Sequence, residues 1–242
     1  MRKLVIIPTY NERENIAAMI DKVFSLPEAF DLLIVDDGSP DGTAQIVRER
    51  QPQHPGRLHL LERSGKLGLG TAYLTAFRWG LEQGYDALCE MDCDFSHNPD
   101  DLLRLHEAIA GGADVAIGSR YVKGVNVVNW PMSRLLLSYF ASKYVRFVTR
   151  MPVCDATAGF VCYSRRALET IDLDAIRMKG YGFQIEMKYS AWRLGMRLHE
   201  VPIIFTERRE GQSKMSGNII SEALFGVLGL RFRKIRAAAQ KA

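Results

Sequence analysis

Two continuous apolar runs, Leu4-Val5-Ile6-Ile7 and Leu32-Leu33-Ile34-Val35, constrain this chain more than any other feature. Each has strand length and no polar alternate position, so each belongs to a strand covered on both faces. The first breaks at Pro8-Thr9-Tyr10-Asn11-Glu12 and the second at Asp36-Asp37-Gly38-Ser39-Pro40-Asp41-Gly42-Thr43. Between them Ile16, Met19, Ile20 and Val23 recur at helical spacing. The alternation continues with a helix at Ala44, Ile46 and Val47, a strand at Leu58 to Leu61 and a helix through Trp79. A strand at Ala87-Leu88-Cys89, a helix from near Pro99 and a strand at Val115 to Gly118 follow. This βαβ spacing predicts an α/β fold, a mostly parallel central sheet with helices on both faces. Ligands of such sheets bind beyond the carboxyl ends of the strands. Glu12, Asp36, Asp37, Asp92 and Asp94 all fall there.

Glu90-Met91-Asp92-Cys93-Asp94-Phe95-Ser96 is the most suggestive of these strand ends. Strand alternation predicts that Asp92 and Asp94 point to one side, where two carboxylates repel unless a proton or a cation intervenes. A hard divalent cation resolves that conflict and leaves coordination positions for water and phosphate. A strand-end turn also accounts for Asp. Cys89 and Cys93 fall on the other strand face and read as small buried hydrophobes rather than zinc ligands with His97. With Cys154 and Cys162 they suit a reducing compartment more than a disulfide scaffold. Gly65-Lys66-Leu67-Gly68-Leu69-Gly70 has the wrong order for a dinucleotide fingerprint or a P-loop. It reads equally as a turn into the next helix or as a loop bringing Lys66 to a phosphate.

In the second half Ser133 to Arg150 reads as a helix with Pro131 at its entry. Leu136, Phe140, Tyr144, Phe147 and Val148 share one face, Lys143, Arg146 and Arg150 another, and Arg134 with Ser138 a third. The segment 131–150 is therefore either a packed surface helix or an interfacial one, aromatic residues on acyl chains and basic residues at headgroups. Asp155 to Phe160 leads into a strand at Val161 to Tyr163, and Gly180 opens a helix continuing to Leu194. Pro202 implies an edge or a start for the strand at Val201 to Phe205. Thr206 to Lys214 reads as a solvent loop or a lid whose Arg and Lys clamp a pyrophosphate. From Gly217 an amphipathic helix follows, weakened by Gly226 and Gly229.

At 242 residues, 47% hydrophobic and 25% charged, the chain fits one large globular domain. The first strand begins at Leu4 with no apolar leader ahead of it, and the longest uncharged apolar run, Ala223 to Leu230, is too short to span a bilayer. Neither a secretory leader nor a membrane span is expected. The net charge is only +4, yet Arg231 to Ala242 holds five basic residues and no acid. That tail suits a solvated helix end or contact with anionic lipid.

In order and spacing, the strand-end motifs at Pro8 to Glu12 and Asp36 to Thr43, the Asp92/Asp94 pair and Arg208-Arg209-Glu210-Gly211-Gln212-Ser213-Lys214 resemble the family 2, GT-A glycosyltransferases. Met91 to Pro99 and Gly118-Ser119-Arg120-Tyr121 are similar to the dolichol-phosphate and polyprenol-phosphate mannose synthases among them. The likeness runs from about Leu4 to Ser216. It implies a GT-A catalytic domain over 1–216, followed by a helix and basic tail over 217–242. It implies transfer of mannose from GDP-mannose to a polyprenyl (dolichyl) phosphate with inversion, using Mg2+ or Mn2+. By position, Pro8, Tyr10, Glu12, Val35 and Asp37 would bind the nucleoside. Asp92 and Asp94 would hold the metal and diphosphate, with Cys93 between them among the substrate-binding positions. Ser96 stands where some members carry a metal-binding Gln. Arg120, Arg134 and Ser138 match acceptor-phosphate positions, and Arg208 and Lys214 match donor-phosphate contacts. Asp94, Arg120, Arg134 and Arg208 are the expected catalytic set. The expected partners are the two substrates, the cytoplasmic side of a membrane and, as one option for docking, a small membrane-anchoring subunit, with no nucleic acid. UDP-glucose as donor, or nucleotide-sugar binding without catalysis, are the competing readings.

Overall fold

The computed structural model describes residues 1–178, 180–207 and 217–239. In chain order the elements are β1 (Lys3–Thr9), α1 (Arg13–Phe24), β2 (Asp31–Asp36), α2 (Thr43–Arg50), β3 (Leu58–Glu62) and α3 (Leu69–Glu82). Next come β4 (Ala87–Glu90), α4 (Asp101–Ala110), β5 (Val115–Ser119), β6 (Val127–Val128) and α5 (Met132–Thr149). The chain continues with β7 (Val161–Ser164), α6 (Arg165–Thr170), α7 (Gly180–Arg193), β8 (Leu198–Pro202), β9 (Phe205–Thr206) and α8 (Gly217–Phe232).

The main sheet runs β3-β2-β1-β4-β7-β5-β8. All its pairings are parallel except those of β7, which is antiparallel to β4 and β5. The strands alternate between two cores. Leu4, Ile6, Leu33, Val35, Leu88 and Tyr163 face one, against α3 and α7. Val5, Ile7, Leu32, Ile34, Cys89 and Cys162 face the other, against α1 and α4. Fully buried apolar side chains on both faces are what the unbroken runs require.

Two expectations are corrected. β4 ends at Glu90, so Asp92 and Asp94 sit in the bend that follows rather than on a strand, and Phe95 there takes a left-handed φ of 57°. Cys89 lies directly opposite Cys162 on β7, with Cα atoms 3.9 Å apart, and the two sulfurs are joined as a disulfide rather than standing as separate thiols. On α5, which the sequence leaves open between packed and interfacial, Ser142, Val145 and Thr149 are buried and Tyr144 and Val148 are partly buried against the core, while Leu136, Phe140 and Phe147 are exposed.

Candidate active site

A cavity opens at the carboxyl ends of β4 and β5, walled by the bend after β4, the start of α7, and helices α5 and α8. Asp92, Asp94, Ser96, Arg120, Arg134 and Ser138 all line it. Residues from 92 to 138, named from sequence as metal and acceptor positions, are thus brought together by the fold.

The bend carrying the acids is fixed from within. Asp94 Oδ1 accepts the Ser96 backbone N–H at 3.1 Å. His97 is buried, stacked on Phe160 at 4.8 Å, and its Nδ1 accepts the Asp92 N–H at 3.2 Å. Burial holds the His97 pKa below its ordinary value, which favours the neutral ring that this acceptor role needs. The Ser96 hydroxyl is buried and makes no hydrogen bond among the described residues. Two carboxylates and an unpartnered hydroxyl are hard oxygen donors, a set suited to Mg2+ or Mn2+. Among the described residues no cluster of three His, Cys, Asp or Glu side chains forms, so phosphate or water oxygens would complete such a shell.

The arginines are held by partners that the sequence did not reveal. Asp155 Oδ2 accepts the Arg120 backbone N–H at 2.9 Å and Nε at 2.7 Å, and Oδ1 accepts Nη2 at 2.6 Å. Burial alone would raise the Asp155 pKa, but the Arg120 charge and hydrogen bonds outweigh it and the net shift is downward. The Asp155 loop is itself anchored, since the Glu200 carboxylate accepts the N–H groups of Cys154 and Asp155 at 2.8 and 3.0 Å. Arg134 Nη1 reaches both oxygens of Glu207 at 2.6 Å. Ser138 Oγ accepts the Tyr121 hydroxyl at 2.9 Å.

Beneath the cavity lies a buried polar row. Gln184 donates to Glu90 Oε2 at 2.7 Å, and Lys188 donates to the Ala158 carbonyl at 2.7 Å. Burial pushes the Glu90 pKa up to about 8 and the Lys188 pKa down to about 8.

The nucleoside positions group elsewhere. Pro8, Tyr10, Glu12 and Asp37 lie at the ends of β1 and β2, outside the cavity lining. Asp37 is gripped by Arg63, Nε to Oδ1 at 2.7 Å and Nη2 to Oδ2 at 2.9 Å. The Lys66 ammonium stands 5.1 Å from the Tyr10 ring centre, so the glycine loop leans towards this side. The side chains of Val35 and Cys93 are buried in the two cores, so of these two positions it is the backbone that is left to meet a ligand. Arg208 and Lys214 lie outside the described residues.

Helices α5 and α8 also carry an exposed apolar crest. Phe140 and Phe147 on α5 and Phe225 and Phe232 on α8 are 62 to 87% exposed. Lys143, Arg146 and Lys234 are exposed on the same elements and just beyond them. No helix among the described residues is long and apolar enough to cross a membrane.

A family model described as Glycosyl transferase family 2 matches residues 4–172. Over 238 residues the chain is 51% identical to the polyprenol monophosphomannose synthase of Mycolicibacterium smegmatis, covering 98% of this chain and 90% of that protein. It is 48% identical to the undecaprenyl-phosphate mannosyltransferase of Micrococcus luteus, covering 98% of each. Among solved structures, glucosyl-3-phosphoglycerate synthase of Mycobacterium tuberculosis, in complex with Mn2+, UDP and glucosyl-3-phosphoglycerate, superposes with a TM-score of 0.71. That match has 18% identity and covers 95% of this chain and 80% of that one, a likeness of fold.

Proposed function

The chain belongs to glycosyl transferase family 2, and from that premise we propose that it carries mannose from GDP-mannose to a polyprenyl monophosphate, with inversion, at a site holding Mg2+ or Mn2+. Its activity is that of a polyprenyl-phosphate mannosyltransferase. The observation that carries the finer reading is one cavity lined both by Asp92, Asp94 and the unpartnered Ser96 hydroxyl and by Arg120 and Arg134.

Asp92, Asp94 and Ser96 would hold the cation, which when bound supplies positive charge to the departing nucleoside diphosphate. Arg120 and Arg134 bind and orient the acceptor phosphate, as planar guanidinium groups do. A phosphate monoester with a second pKa of about 6 is already largely dianionic at neutral pH. An acceptor oxygen therefore attacks the anomeric carbon without first giving up a proton, and the sugar–diphosphate bond breaks on the far side, its electron pair leaving with the diphosphate. No residue of this chain has to serve as an indispensable general base, in contrast to a hydroxyl acceptor. The aromatic crest of α5 and α8 would enter acyl chains while Lys143, Arg146 and Lys234 meet anionic headgroups of the cytoplasmic leaflet. Both helices wall the cavity, so docking them brings a lipid-borne phosphate to the arginines.

The test is incubation of purified protein with GDP-mannose, Mn2+ and a short polyprenyl phosphate, followed by analysis of the lipid product. A β-linked mannosyl phospholipid that disappears with chelator is expected, with UDP-glucose failing to compete. An equal yield from UDP-glucose would overturn the donor assignment.

A further inference from the structure

Among the described residues five buried side-chain atoms have no hydrogen-bond partner, and three of them, Tyr73 Oη, Ser96 Oγ and the indole Nε1 of Trp130, belong to residues that line the cavity. A buried donor left unpaired costs free energy, so folded chains keep few of them. Several such atoms around one cavity mark a place that a ligand completes.

Trp130 is the most specific of the three, because an indole N–H can donate but not accept. Whatever satisfies it must be an acceptor. Its surroundings supply more donors to that acceptor. The Arg134 guanidinium carbon lies 4.3 Å from the Trp130 ring centre and that of Arg120 lies 5.5 Å away. Both guanidinium groups lie over the ring and are already held by carboxylates, Arg120 by Asp155 and Arg134 by Glu207, and it is their remaining N–H donors that, with the indole N–H, offer an oxygen acceptor several charge-assisted hydrogen bonds. The indole is also preset. Trp130 directly precedes Pro131, the N-cap of α5, and packs edge-on against Phe205 at 5.2 Å.

We propose that the Trp130 indole N–H is a direct donor to the acceptor phosphate, acting beside Arg120 and Arg134, and that it contributes to selecting a phosphomonoester over a neutral prenyl alcohol. This rests on the assignment of Arg120 and Arg134 to the acceptor. Trp130→Phe keeps an aromatic ring for Arg134 and removes the N–H donor along with part of the ring area, and a parallel NMR readout separates the two effects.

The experiment compares Trp130→Phe and Arg134→Ala with the unsubstituted enzyme, using a short polyprenyl phosphate and GDP-mannose. Trp130→Phe is expected to raise the acceptor KM about tenfold, as loss of a hydrogen bond to a charged group does, with the donor KM within about twofold. In parallel, the indole N–H resonances of 15N-labelled enzyme are followed by NMR, Trp79→Phe and Trp192→Phe leaving Trp130 assigned by elimination. The Trp130 signal should move on titration with the prenyl phosphate and stay still with the corresponding prenol. If Arg134→Ala raises the acceptor KM while Trp130→Phe does not, and the indole signal is unmoved, the Trp130 assignment is wrong and the acceptor site stands. If neither variant changes the acceptor KM, the acceptor site itself is misplaced and the inference falls with it.

Discussion

Asp155→Asn tests whether the interior polar framework holds the site. The Asp155 carboxylate is fully buried and takes three N–H donors from Arg120, while its own backbone N–H is held by Glu200. An amide in its place presents an NH2 group to donors and removes the negative charge beside a guanidinium that is itself only 9% exposed. Disrupting a buried pair of this kind costs about 3–5 kcal/mol. In a chain of 242 residues each kcal/mol corresponds to roughly 2–4 °C in Tm, so a fall of about 10 °C is expected by differential scanning calorimetry. Lys22→Ala is the control, because its ion pair with Asp100 is 36% and 53% exposed and such surface pairs contribute about 0–1 kcal/mol. The pH dependence has a definite sign. The folded pKa of Asp155 lies below its unfolded value, so the stabilisation is complete above about pH 4 and vanishes as pH falls through the folded pKa. The Tm gap between Asp155→Asn and the unsubstituted protein should stay constant from pH 8 to 5 and close only in acid. A gap under 2 °C at neutral pH, or one closing between pH 8 and 6, would refute the reasoning.

Glu90 supplies the opposite case. Its folded pKa of about 8 lies above the unfolded value of about 4.3, so folding takes up a proton and stability falls as pH rises between the two. Glu90→Gln lacks that slope, and its Tm relative to the unsubstituted protein should rise steadily from pH 5 to 8. Asp94→Ala should lower kcat by at least about a hundredfold with little effect on the acceptor KM, while Arg134→Ala raises that KM, since the two contact different substrates in the proposed site. Steady-state kinetics with both substrates varied separates them, and an unchanged acceptor KM for Arg134→Ala contradicts the assignment. Phe147→Glu together with Phe225→Glu should reduce binding to anionic vesicles by about a hundredfold or more, at about 1.5–3 kcal/mol for each aromatic side chain withdrawn from acyl chains. Co-sedimentation measures it, and undiminished binding would place the membrane contact elsewhere.

How much of this could be read from the chain depends on whether a residue's role lies in its own neighbourhood or in a distant partner. β1 and β2 were legible because an unbroken apolar run has one economical fate, burial on both faces. The strand ends followed, and with them Asp92 and Asp94, although the acids share a cavity through a bend and not through strand alternation. The direction of β7 was not legible, since Val161-Cys162-Tyr163 is the same whichever way it pairs, and the disulfide it makes with β4 was missed for the same reason. Helix α5 shows the limit of periodicity. The wheel groups Leu136, Phe140, Tyr144, Phe147 and Val148, but Tyr144 and Val148 pack against the core beside Ser142 and Val145 while Leu136, Phe140 and Phe147 stay exposed. Asp155, Glu200, Gln184 and Lys188 carried no local signal, because an interior polar group is defined by the partner that satisfies it. Arg120 and Asp155 are 35 residues apart, and Gln184 and Glu90 are 94. The same dependence makes an unsatisfied interior group informative. In a framework where Asp155, Glu200 and Gln184 are paired within the chain, five buried side-chain atoms among the described residues lack a partner. Three of these belong to residues lining one cavity, Trp130 with its indole N–H among them, which is the distribution a substrate with oxygen acceptors would complete.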